Sequence, residues 1–203
     1  AAPRECLALL EEADVAIVKG NHDAACVGEA DLVCFNPYAR AAVLWTIEQL
    51  SSSELARLAA LPMTLDLDHC SVAHGTYHTP ERFDYVQTTE DADPSLDHQP
   101  RPVCFVGHTH VPVTLLRTKD DPDRTAYTME HEIDLTDVTA ALVNVGSVGQ
   151  PRDSDPRAAY ALLDTEKLQV TFYRVEYDVE ETQNRMQSHG LPERLIARLS
   201  YGW

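Results

Sequence analysis

The chain has 203 residues, 44% of them apolar and 24% charged, and a formal net charge of -17. That length suits one domain with a sizeable buried core, and strong acidity without a basic stripe argues against a general nucleic-acid binder. The apolar runs fall far short of the ~20 residues that cross a bilayer, so no membrane association is expected.

An acidic protein repels anionic substrates, so any phosphate site here needs local positive charge from metal ions or a placed arginine. The five cysteines (Cys6, Cys26, Cys34, Cys70, Cys104) show no C-x-x-C spacing. This favours reduced thiols and a cytoplasmic protein without structural disulfides.

Taken in order, Pro3 to Ala13 reads as a helix, with Pro3 in its first turn and Leu7, Leu9 and Leu10 as its apolar side. Val15 to Lys19 is a continuous apolar run, as expected of a strand buried on both faces. Gly20-Asn21-His22-Asp23 follows it directly. Asn36-Pro37 is a cap and first-turn pair for a helix to about Leu50, and Ser51-Ser52-Ser53-Glu54 is a capping box for another to about Ala60.

Thr64 to Leu67 and Ser71 to Ala73 read as paired strands, with His74-Gly75 at the exit. Gln87 to Arg101 is acidic and without apolar period, which predicts a surface loop with a short helix near Ser95 at most. Val103 to Val106 reads as a buried strand ending at Gly107-His108-Thr109-His110. Further strands are expected over Val113 to Arg117, Thr125 to Leu135, Ala141 to Val145, Ala158 to Leu163 and Leu168 to Val175. Asp178 then caps a helix to Ser188, and Pro192 starts a last short one. Many strands with helices early and late predict a two-sheet α/β sandwich, residues 1–203 forming a single domain.

The chemistry gathers at strand exits. His74, His108 and His110 each sit beside or close to a glycine, where a tight turn can present an imidazole at a sheet edge. Neutral imidazole suits Mn, Fe, Zn, Ni or Co. In a strand-like His108-x-His110 pair both rings would share a face and could serve two nearby ions. Asn21 offers an amide oxygen, and His22 with Asp23 suits a general acid and its orienting carboxylate. Each histidine alone is an ordinary surface or core residue; three such turns in one chain make the case.

In this order, Gly20-Asn21-His22-Asp23, His74-Gly75 and Gly107-His108-Thr109-His110 resemble the calcineurin-like metallophosphoesterase superfamily. The run Asn144-Val145-Gly146-Ser147-Val148-Gly149-Gln150-Pro151-Arg152-Asp153 is similar to its small bacterial and archaeal phosphodiesterase branch.

The resemblance implies a two-sheet metallophosphoesterase core flanked by helices, and a binuclear centre of two divalent transition metal ions. Asn21, His74 and His108 would bind one ion and His110 the other. His22 would be the catalytic acid, steadied by Asp23, and Arg152 and Ser147 would face a small phosphoester substrate. A salt-bridged surface loop is the competing reading for Arg152 and Ser147.

The family pattern also begins with strands ending in Asp-x-His and Gly-Asp, which this chain, opening Ala1-Ala2-Pro3, does not carry. Its first β-α-β portion is therefore expected to be missing, either because a longer protein was clipped or recorded only from here, or through natural loss. Intact remaining ligands favour the clipped or partial record. Natural loss would instead suit a non-catalytic scaffold or binding protein.

Overall fold

The computed structural model describes residues 1–203. They form two compact units, residues 1–62 with 178–201, and residues 63–177 with 202–203.

The first unit opens with four helices, α1 (Pro3–Glu12), α2 (Asn21–Cys26), α3 (Pro37–Gln49) and α4 (Ser52–Ala59). Local chemistry sets their starts. The Asn36 side chain accepts from the Tyr38 and Ala39 amides, and Ser51 and Glu54 close a reciprocal capping box. The boxed Glu54 carboxyl is held down to about 2, first by the Ser51 hydroxyl and then by the Ser51 amide. Ala25, Cys26, Val43, Leu50 and Leu58 bury together as the unit's core.

One expectation fails here. Val15 to Lys19 forms no strand, and Val15 is 47% exposed. An apolar run becomes a strand only where a ladder partner lies alongside, and the sheet strands all come from residues 64–175. Only Lys19 makes a backbone bond outward, its amide donating to Pro62 O at 2.8 Å.

The second unit holds nine strands and one long helix. A six-stranded sheet runs β1-β2-β3-β7-β4-β5 and a three-stranded sheet runs β6-β9-β8. In sequence these are β1 (Thr64–Asp66), β2 (Ser71–Ala73), α5 (Thr89–His98), β3 (Val103–Val106), β4 (Val113–Thr118), β5 (Ala126–Thr128), β6 (Glu132–Asp134), β7 (Val138–Asn144), β8 (Ala158–Asp164) and β9 (Gln169–Val175). Strands β2, β3 and β7 are parallel, and β3 pairs Cys104 with Leu142 and Val106 with Asn144.

Period-two alternation divides the core into two layers. Cys104, Val106, Leu115 and Leu142 meet Ala92 and Leu96 of α5 on one face of the large sheet. Val103, Ala141 and Val143 on the other face meet Ile133, Val170 and Phe172 of the small sheet. The result is the expected two-sheet α/β sandwich.

Two elements differ from expectation. The acidic stretch read as a loop is α5, started by a Thr88–Asp91 capping box and buried through Ala92, Ser95 and Leu96. Its Pro94 and its acids hid a short buried stripe. The expected strand over Thr125 to Leu135 is two strands in different sheets, parted where the Glu130 amide bonds back to Thr128 Oγ1. Helices α6 (Val179–Ser188) and α7 (Glu193–Ala197) complete the first unit, burying Met186 against Leu195 and Ile196. All five cysteines are free thiols. No helix is long and apolar enough to cross a membrane.

Candidate metal centre

In the second unit, parallel β2 and β3 end side by side and deliver their following residues to one sheet edge. His74 follows β2 and His108 lies two residues after β3. Their rings meet, His74 Nε2 lying 3.0 Å from His108 Nδ1. The Gly107 amide donates to His74 O at 2.9 Å and ties the two turns together.

The turn after β3 is unusual backbone. His108 and His110 both have positive φ, 63° and 65°, a left-handed conformation that costs a non-glycine residue roughly 1 kcal/mol. The pair is therefore not strand-like, and the same-face argument from alternation does not apply to it. Asn144, at the end of β7 and 1% exposed, holds this turn. Its Nδ2 donates to Gly107 O and, at 2.8 Å, to Thr109 Oγ1, while its Oδ1 accepts from the Gly146 amide.

His110 is fixed by the loop after β7. Its Nδ1 lies 2.7 Å from Gln150 O, and a carbonyl can only accept, so Nδ1 carries the proton. In the neutral ring Nε2 then presents its lone pair, an arrangement common to metal-binding imidazoles. The Arg152 amide also donates to His110 O at 3.1 Å.

Two aromatic rings brace the histidine pair. Tyr85 stacks on His108 with centroids 4.0 Å apart and planes 21° apart, and Phe83 meets His74 edge-on at 6.0 Å. Their segment passes so close to Gly75 that a Cβ there would lie 2.7 Å from Asp84 O.

The loop residues have local partners. Ser147 Oγ accepts from the Gln150 amide, and the Arg152 guanidinium donates to Gln150 Oε1 at 2.7 Å. Just beyond, Asp155 is held down to about 2, chiefly by its hydrogen bond from Arg157, and Arg174 pairs with Asp153.

Asn21, His22 and Asp23 occupy the first turn of α2 in the first unit. Asp23 Oδ2 accepts from the Gly20 amide at 2.8 Å, and burial pushes its carboxyl above the usual range. His22 is exposed, its ring edge-on to Phe35 at 5.2 Å. Sequence reasoning named neither Asn144 nor Tyr85 as site residues. The first lay within the quoted Asn144 to Asp153 run, whereas nothing local marks Tyr85.

The His74–His108 contact is a ring N–H to ring N hydrogen bond, in which one nitrogen carries the proton and the other accepts. It brings two imidazoles, side chains of metal-ligating type, to one sheet edge, and the tautomer of His110 suits a further ligand. No group of three or more His, Cys, Asp or Glu side chains is placed to hold a metal, so the histidine pair is a partial donor set.

The chain belongs to the calcineurin-like phosphoesterase superfamily, whose domain profile matches residues 1–168. A metallophosphoesterase from Sphaerobacter thermophilus has the same fold, with TM-score 0.83 and 38% identity over 99% of this chain and 82% of that one. An uncharacterized protein of Methanocaldococcus jannaschii is 30% identical over 98% of this chain and 81% of its own length. A hypothetical protein of Pyrococcus horikoshii shares the fold at 22% identity and TM-score 0.75, over 99% of this chain and 80% of that one. Membership implies divalent metal ions as cofactors.

Proposed function

We propose that this protein is a metal-dependent phosphoester hydrolase acting on a small phosphodiester or phosphomonoester. The observation that carries the reading is the His74–His108 pair, two imidazoles of ligand type hydrogen-bonded at 3.0 Å where parallel strands end. In this reading His74 and His108 would hold one ion and His110 the other of a binuclear centre of Mn, Fe, Zn, Ni or Co. Such ions, when bound, activate water and neutralise the phosphoryl oxygens.

The chain's own residues do the rest. Asn144 fixes the Gly107–Thr109 turn and Gln150 fixes the His110 tautomer, so the ligands are set before substrate arrives. His22, exposed at the first turn of α2, is of the residue type that protonates a leaving alkoxide. Asp23 anchors that turn through the Gly20 amide. Arg152 adds the positive charge that a phosphate needs on a protein of net charge -17. The reading is tested by metal-supplemented hydrolysis of bis-p-nitrophenyl phosphate, which His108→Ala is expected to abolish; a variant as active as the parent sinks it.

A further inference from the structure

A cavity of about 610 Å³ lies in the second unit against the large sheet, on the α5 side. Val86, Thr109, Val111, Val113, Tyr127 and Met129 are among its lining residues. Two of its walls are the immediate chain neighbours of the histidine pair's own elements. Thr109 follows His108, and Val86 follows Tyr85, whose ring is stacked on His108.

The cavity is preformed. Thr109 Oγ1 is held by Asn144 Nδ2, and the Gln87 and Thr88 amides are both pinned by Asp91 Oδ2. Its lining carries no Asp, Glu, Lys, Arg or His side chain, so its occupant is neutral although the reacting phosphate is not. The threonine hydroxyls already serve the fold, Thr88 as a helix cap and Thr109 within its turn. Beside the neutral polar side chains of Gln87 and Thr89, what remains on offer is apolar surface with a thioether and a phenol ring, both well exposed at Met129 (65%) and Tyr127 (67%). Flat aromatic groups pack on such surfaces through sulfur–ring and ring–ring contacts.

From this geometry we propose that the cavity is the specificity site for a neutral aryl or heteroaryl substituent carried by the phosphoester. The inference rests on the hydrolase reading above and names its substrate class: aromatic esters over small alkyl ones.

The test uses the full chain loaded with Mn and p-nitrophenyl diesters that share one leaving group and differ in the retained ester, phenyl, cyclohexyl or methyl. The phenyl ester is expected to exceed the methyl ester in kcat/KM by about ten-fold, as burial of a ring predicts, and to exceed the cyclohexyl ester as well. Tyr127→Ala and Met129→Ala, at exposed positions, are expected each to shrink that ratio, with Val113→Asp bringing it near unity. Equal turnover of phenyl and methyl esters overturns the cavity assignment and leaves the hydrolase reading standing. Cyclohexyl matching phenyl overturns the aromatic preference. No turnover of any ester overturns the hydrolase reading and this inference with it.

Discussion

His74 Nε2 and His108 Nδ1 lie 3.0 Å apart, although 34 residues separate them in the chain. The contact exists because β2 and β3 are parallel neighbours, so that both chains leave the sheet at the same edge. Ligands in open parallel sheets gather at such edges for this topological reason.

Asn144→Ala is expected to destabilise the protein by roughly 2–4 kcal/mol, because it strands a carbonyl, a hydroxyl and an amide that the side chain now serves. Urea melts of variant and parent measure this. The same variant should weaken metal binding at His108, read by titration with Mn.

Gly75→Ala tests the aromatic brace. A Cβ 2.7 Å from Asp84 O has a backbone atom as its obstacle, so the 83–85 segment must move off the histidines. A loss of about 1–3 kcal/mol in stability is expected, with weaker metal affinity as the second readout. Unchanged values for both would show that Phe83 and Tyr85 merely rest there.

Asp155 gives a pH dependence with a definite sign. Its carboxyl is depressed from 3.8 to about 2 by Arg157 and, secondarily, Arg174. The stabilisation is thus present above pH 4 and lost as pH falls through about 2. After allowance for solvent screening, Asp155→Asn should cost roughly 1 kcal/mol at pH 6. The difference from the parent in denaturant melts should close between pH 4 and pH 2.

What could be read beforehand was what is local. The pairs Asn36-Pro37 and Ser51 with Glu54 announce helix starts within four residues, and both behave so. The strands β2, β3 and β7 announce themselves as short apolar runs. Helix α5 was hidden because its buried stripe is only Ala92, Ser95 and Leu96, with Pro94 among them. Val15 to Val18 has the composition of a strand but lacks the ladder partner that composition cannot supply. The histidines were legible as residue types beside glycines. Their bracing was not, since Asn144 reaches Gly107 across 37 residues and Tyr85 reaches His108 by stacking alone.

If this chain hydrolyses phosphoesters at its histidine-bearing sheet edge, Mn-dependent turnover of bis-p-nitrophenyl phosphate reads that activity out. Parent activity that falls at least about 100-fold in His108→Ala is the predicted result. Turnover in that variant equal to that of the parent, or none in the parent with any divalent metal, would contradict it.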